Sequence, residues 1–504
     1  MKKEQLYELL GDMDENSIKA AETSKTNRRK TRWIRYGAAA AACLGVCAGA
    51  GILFGRSGNT PADTVSPGST DTISPVSTDT IFPMNADNML LAEAAYPEMP
   101  AYPDETMYSD REESDRAYDA WSNARKELRK LSAECTYDFY PFFLNTTRTF
   151  LTDAETDNKV YSPLSLFMAL GMSAEITDGN TRQQILDVLG QDGIESLRSD
   201  ANVIWQTNYM DDGMAKCVLA TSLWTNNKIP YIQSTMDSLA DNYYTSSYSG
   251  DPASAEYNKM MQKWMNDQTD GLLSEYVSGI EMDPRMVLTL ASTVNYSGKW
   301  KYQFSEKNTE SGIFHSPAGD ISCDFLNSGR NTTYYWGENF ASVSLELENN
   351  GEMRLILPDE GITPEELIHN DDVMNFLMDP DACKNSKFIQ VNMSIPKFDV
   401  YSNTDLTDGL RQLGITDAFD PSVSDFTPLT EELEGVFISN AKQSARVMID
   451  EEGCKASSLT VMIYCGAGMP KDQVDFVLDR PFIFEIMSET GLPLFIGIVN
   501  TPAV

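Results

Sequence analysis

Apolar positions along the chain fall into four regimes, and each predicts a different kind of structure. Residues 1–36 are polar and close on a basic run, Arg28, Arg29, Lys30, Arg32 and Arg35. Gly37 to Phe54 then carries 18 residues without a charge, rich in Ala and Gly and near the minimum length for one membrane span. From 55 to about 104 apolar residues thin out. Asp63-Thr64-Val65-Ser66-Pro67, Asp71-Thr72-Ile73-Ser74-Pro75 and Asp79-Thr80-Ile81-Phe82-Pro83 repeat there at an interval of eight. Such a composition cannot bury a core, and regularly spaced prolines favour an extended stalk. Beyond residue 105 the pattern becomes that of a folded domain.

Within 105–504, helical and strand periods mix without a regular βαβ alternation. Arg116 to Leu151 is charged and then aromatic, and reads as one or two amphipathic helices. Ser162-Pro163 opens a helix, with proline in the first turn and the apolar run Leu164 to Leu170 behind it. Gly179-Asn180-Thr181 opens another. Met286 to Ala291 and Met353 to Pro358 read as buried strands. These elements together support an α+β class.

Charge and composition then narrow the function. Residues 1–56 hold ten basic and six acidic residues, +4 in sum, so the remainder of a chain of net charge −36 carries −40. Basic residues before the apolar run, and only Arg56 just after it, predict an amino terminus in the cytoplasm and a single-pass chain with its domain outside the cell. Ala48-Gly49-Ala50 leaves a cleaved signal peptide as the alternative, against which the long basic region counts. The acidic domain opposes binding to nucleic acid or to anionic lipid. The two histidines, His315 and His369, are far apart, which disfavours a histidine metal cluster or a Ser-His-Asp triad. There is no Walker loop, HExxH or Cys-x-x-Cys, so neither enzymatic activity nor a metal or cofactor is expected. Cys43, Cys47, Cys135, Cys217, Cys323 and Cys383 are scattered, and a domain of this size needs no disulfide framework.

The most informative stretch lies near the carboxyl end. Asp450-Glu451-Glu452-Gly453 is acidic and ends in glycine; Cys454-Lys455-Ala456-Ser457-Ser458-Leu459-Thr460 is mostly small; a low-charge segment containing Cys465 follows to Pro470. Phe476 to Ile486 is an aromatic, β-branched strand entered through Arg480-Pro481. This arrangement resembles the reactive-loop hinge and following strand of the serpins, suicide inhibitors of proteases. The resemblance extends over roughly 400 residues. It includes, in the family's order, Asn158, Ser162, Pro163 and Ser165; Gly179-Asn180-Thr181; Trp264, Thr269 and Gly271; Gly298-Lys299-Trp300; Pro396-Lys397-Phe398; and Leu413-Gly414-Ile415.

The resemblance implies a serpin fold: large central antiparallel and mixed sheets, about eight or nine helices, and an exposed reactive loop in a bacterial, membrane-anchored, monomeric protein. It places the scissile bond between Ala467 and Gly468, since counts forward from Gly453 and back from Pro481 agree. The hinge is then Glu451 to Thr460, with Glu451 expected to pair with Lys397 near Trp300. Alternation along the inserting strand puts Cys454, Ala456, Ser458 and Thr460 inward, with Lys455 and Leu459 outward. The sheet-opening region falls on Ser162, Ser165, Ser292, Trp300, Lys397, Ser439 and Gln443. Ser292 and Gln443 stand where the family usually has Asn and His, and a Ser–Gln hydrogen bond is the expected compensation. Small residues around Ala467 suit elastase-like proteases, with Met462, Tyr464 or Met469 as secondary bait for subtilisin-like ones. The two replacements favour an alternative, a non-inhibitory serpin-fold binding protein at the cell surface.

Overall fold

The computed structural model describes residues 89–502, apart from 98, 104–107, 109, 432, 434, 440 and 455–471. The expected basic tail, membrane span and repeat stalk lie outside the described residues, as do hinge positions 455–460 and the Ala467–Gly468 bond. Among the described residues no helix is long and apolar enough to cross a membrane.

The chain opens with strand β1 (Leu90–Ala92), helix α1 (Arg111–Phe150) and strand β2 (Lys159–Tyr161). The segment expected as one or two helices is one, of 40 residues, with Asp110 capping Glu112 N and Pro141 inside it. Proline costs that helix a hydrogen bond, but the surrounding turns bury Phe139, Phe142, Phe143 and Phe150 in the main core. Helix α2 (Pro163–Glu175) is capped by Ser162, whose hydroxyl accepts from Ser165 N. It is buried nearly all round, which explains an apolar run without amphipathic period. Helices α3 (Gly179–Leu189) and α4 (Ile194–Asn208) follow.

Next come β3 (Met210–Asp211), β4 (Lys216–Asn226), α5 (Gln233–Tyr243), β5 (Thr245–Gly250), α6 (Ala255–Gln268), α7 (Ser274–Val277) and β6 (Leu288–Lys299). The second half holds β7 (Thr309–Ser316), β8 (Gly319–Trp336), β9 (Phe340–Glu346) and β10 (Glu352–Pro358), then α8 (Pro364–Ile368) and α9 (Asp371–Met378). It closes with β11 (Ser386–Pro396), β12 (Phe398–Asp405), α10 (Thr407–Leu413), β13 (Lys442–Ile449), β14 (Gly453–Cys454), β15 (Gln473–Val477), β16 (Phe482–Met487) and β17 (Pro493–Val499).

Three sheets organise these strands. One runs β1-β5-β4-β6-β14, with β3 on β4; the second, of nine strands, runs β15-β11-β8-β9-β10-β16-β17-β2, with β7 on β8; the third is β12-β13 alone. The stretch expected as a buried strand at Met286 starts instead at Leu288, and in β6 only Ala291, Asn295 and Gly298 are buried. β6 is the last long strand of its sheet: beyond it, β14 pairs at Lys299 and Gly298 only. Among the described residues no strand pairs with the outer edge of β6 before Gly298.

Helix α6 lies over this sheet, burying Tyr257, Met261 and Trp264 against Val218, Ala220 and Trp224 of β4 and Ala291 of β6. The segment after it reaches the third sheet. Tyr276 stacks on Tyr401 of β12 with ring centroids 3.4 Å apart, and Arg446 of β13 donates to Leu272 O at 2.9 Å.

The amino-terminal segment is packed too. β1 adds antiparallel to β5, Tyr96 sits 4.8 Å from the Trp205 ring, and Trp121 Nε1 donates to Asp212 at 2.9 Å. Arg125, itself buried, and Arg129 both hold Glu489 in the β16–β17 turn.

One buried charge gives the domain a pH dependence. Glu485 of β16 faces Arg354 of β10, with Arg354 Nη1 3.1 Å from Oε2, while Oε1 has no hydrogen-bond partner. Full burial pushes the Glu485 carboxyl up to about 8, against the pull of Arg354 and with a further push from Glu352. The folded state therefore holds this proton after the unfolded chain has released it, so the stabilisation present in acid is lost as pH rises from about 5 through 8. Glu485→Gln is expected to flatten that slope and to raise the melting temperature most at pH 8. Parallel melts of both chains between pH 5 and 8 check this; equal slopes would contradict it.

Candidate functional site

The β6 strand and the β13 strand are joined through the start of α2. On one side, Ser165 Oγ lies 3.1 Å from Ser292 Oγ, and Ser292 Oγ donates to Ser165 O at 3.2 Å. On the other, Gln443 Oε1 accepts from Ser162 N at 2.8 Å, and its Nε2 donates to Ser162 O at 2.9 Å. The bond expected between Ser292 and Gln443 is thus replaced by a pair of bonds from each to the start of the helix. A serine is too short to span two strands, but it reaches the helix turn beneath it. Gln443 is buried and both ends of its amide are satisfied, which in a dry site carries more weight than at a surface. Ser439 is exposed in the segment leading to β13 and makes none of these bonds.

Residues 450–454, which include the start of the expected hinge, are fixed by a second constellation. Asp450 Oδ1 accepts from Glu452 N at 2.9 Å and Gly453 N at 3.1 Å, an aspartate turn that folds the chain back after β13. Trp300 Nε1 donates to Asp450 O, Trp300 N to Glu452 O and Phe304 N to Glu451 O, each at 2.9 Å. Lys397 Nζ lies 2.9 and 3.2 Å from the two oxygens of Glu451, the pairing expected from sequence. Thr309 Oγ1 donates to Glu451 Oε1 at 2.7 Å. Partial burial works against the Glu451 charge, but the bonds from Lys397 and Thr309 outweigh it and hold the carboxyl below its usual range.

Gly453 sits in a close approach of two backbones. It is buried, and a Cβ there would lie 2.3 Å from Gly298 O, 2.7 Å from Lys299 Cα and 3.1 Å from Trp300 N. All three are backbone atoms, so nothing flexible can yield. Glycine is needed because β14 enters flush against the top of β6.

The sequence placed Glu451, Lys397, Trp300, Ser162, Ser165, Ser292 and Gln443, and the structure sets the first three in one cluster and the last four in another. Tyr276, Tyr401 and Arg446 were not foreseen, nor was the bond from Thr309 to Glu451. Asp450-x-x-Gly453 is a turn signal that could have placed the Asp450 cap; nothing in a single sequence signals a Tyr276–Tyr401 stack 125 residues apart.

Chemically, the arrangement is an edge with one small strand started on it. β14 occupies two of the twelve positions of β6, directly ahead of the loop residues. A family model described as Serpin (serine protease inhibitor) matches residues 141–502. Glia-derived nexin of Homo sapiens is 29% identical over 368 residues, covering 69% of this chain and 88% of that protein. Serpin-ZX of Arabidopsis thaliana is 25% identical over 367 residues, covering 70% and 94%. The solved structure of the thermophilic serpin Tengpin in the native state has a TM-score of 0.65 at 27% identity, covering 73% of this chain and 94% of its own. Thyroxine-binding globulin in complex with thyroxine reaches 0.63 at 20% identity, covering 74% and 100%, a likeness of fold alone. β1 and the first thirty residues of α1 precede the family match.

Proposed function

The chain belongs to the serpin family, and from that premise we propose that it is a suicide-substrate inhibitor of extracellular serine proteases, of elastase-like or subtilisin-like specificity. The protease serine attacks the carbonyl carbon of Ala467. The peptide bond to Gly468 breaks, the new amine leaves with Gly468, and an ester links the loop to the enzyme. Before water hydrolyses that ester, the freed segment fills the edge of β6 as a new strand and carries the enzyme with it.

The observation that carries this reading is the hinge. β14 is already paired with the top of β6, clamped by Glu451, Lys397 and Trp300, so the loop residues follow from a strand that has begun to insert. The slot must widen for the rest. Opening has to break Ser165–Ser292 or Ser162–Gln443, and has to release the Tyr276–Tyr401 stack and the Arg446–Leu272 bond that cross it. Residues 1–36 as a cytoplasmic tail, 37–54 as an anchor and 55–104 as a stalk would display the domain outside the cell.

The proposed specificity gives the first test. Pancreatic elastase mixed with the domain is expected to yield a complex that survives denaturing electrophoresis, while trypsin yields none. Ala467→Arg is expected to exchange the two outcomes, because a trypsin pocket built around an aspartate needs a basic residue. Trapping of trypsin by the unmodified chain would move the scissile bond. A second reading, a non-inhibitory binding protein, is favoured by the routing of Ser292 and Gln443 to α2 and predicts cleavage by elastase with no complex.

A further inference from the structure

Methionine is concentrated under one helix. Helix α6 is seated on β4 and β6 by a small apolar cluster separate from the main core. Two of its eight buried members are methionine, Met261 and Met282. Of the six half-buried side chains packed around them four are methionine: Met89, Met260, Met265 and Met286. The main core is built instead mostly of Leu, Ile, Val and Phe.

The placement of these side chains makes a ring around the seat of the helix. On α6 the buried apolar stripe is Tyr257, Met261 and Trp264, and helical spacing sets Met260 and Met265 on its two shoulders. Met286 is fixed to both strands below: its sulfur accepts from Thr289 Oγ1 of β6 at 3.1 Å, and its carbonyl from Asn226 Nδ2 of β4 at 3.0 Å. Met89 leads into β1, and its carbonyl accepts from Ser249 N of β5 at 2.6 Å.

Methionine fills irregular apolar gaps well, but its thioether is oxidised where an oxidant reaches it. Met261 and Met282 are only 1% and 6% exposed, whereas the outer four are half-buried, so an oxidant meets the outer ring first. A sulfoxide is polar and needs a donor. Two donors of the cluster are already committed, Trp224 Nε1 to Ser222 Oγ at 2.8 Å and Tyr257 Oη to Thr225 O at 3.0 Å. An unpartnered polar group in an apolar seat is costly, and lifting the helix relieves it.

We propose that this ring is an oxidative modification site: a hydroperoxide converts Met89, Met260, Met265 and Met286 to sulfoxides and thereby loosens α6 from β4 and β6. At each sulfur an S–O bond forms and the O–O bond of the peroxide breaks. The sulfur gives up two electrons, and the reduced peroxide leaves as water or an alcohol. The segment after α6 crosses to the third sheet through Tyr276–Tyr401 and Arg446–Leu272, so a loosened α6 weakens the cover over the outer edge of β6. The oxidation itself holds whether or not the chain inhibits a protease; its bearing on loop insertion rests on that reading.

The test uses the full chain and no protease. It is treated with hydrogen peroxide, its sulfoxides are mapped by peptide mass spectrometry, and melting and amide exchange are measured. Oxygen is expected at the four outer methionines before Met261 and Met282. With it should come a melting temperature about 4 °C lower and roughly tenfold faster exchange within 255–268. Methionine sulfoxide reductases acting on the oxidised chain should restore both. A chain carrying Met89→Leu, Met260→Leu, Met265→Leu and Met286→Leu keeps the apolar bulk without the sulfur, and peroxide should leave its melting and exchange unchanged. Oxidation confined to methionines outside the ring overturns the proposal, as does an oxidised parent that melts and exchanges like the untreated one. An equal loss of stability in the leucine chain would place the damage elsewhere and overturn it too. Repair by the reductases needs no variant and decides the point even if the leucine chain folds poorly.

Discussion

Arginine at Ala456 or at Thr460 is expected to turn the chain from an inhibitor into a substrate. Alternation from Cys454, which pairs with Gly298 of β6, puts both positions on the face that turns inward when the loop becomes a strand. That face would rest on the core, and burying an unpaired guanidinium there costs several kcal/mol, on the order of what any unpaired buried charge costs. Trapping is a race between insertion and hydrolysis, and each ~1.4 kcal/mol added to the insertion barrier slows it about tenfold. The number of inhibitor molecules cleaved per protease trapped should therefore rise by an order of magnitude or more, with the intact protein as stable as before. Lys455→Arg, on the outward face, is the control and should trap normally. Undiminished trapping by both inward variants would refute the register.

Valine at Gly453 should damage the protein before any protease arrives. Its Cβ would meet Gly298 O, Lys299 Cα and Trp300 N, so β14 must lift away from β6. Forcing extra carbons into a well-packed site costs about 1–3 kcal/mol. The displaced turn would also lengthen the Trp300–Asp450 and Lys397–Glu451 bonds. A lower melting temperature and a larger cleaved-to-trapped ratio are expected together. A variant that melts and traps like the parent would mean that the hinge is not seated on β6.

Much of this site was legible because its signals are local. Ser162-Pro163 ahead of an apolar run announces a helix start, and the structure adds that the same serine holds Gln443. Glu451 and Lys397 could be paired only through resemblance, since 54 residues separate them. What could not be read is tertiary. Met286 to Ala291 looks like an interior strand because composition reports apolar content, whereas its half-exposure depends on which edge of the sheet it occupies. A glycine at 453 is visible in the sequence, but the neighbouring backbone of β6 that requires it is not. The α1 extension showed its charge pattern in sequence, but not that Arg125 and Arg129 would converge on Glu489, more than 350 residues away.

Central to the account is a native fold that lies above the loop-inserted state in free energy, and melting the intact and the cleaved chain side by side tests it most directly. A nick normally loosens a protein. Here the freed segment, about fifteen residues, would gain hydrogen bonds on both edges, at about 1 kcal/mol net each, less the entropy of ordering it. Elastase-cleaved protein is predicted to melt well above the intact chain. An unchanged or lowered melting temperature after cleavage would contradict the account.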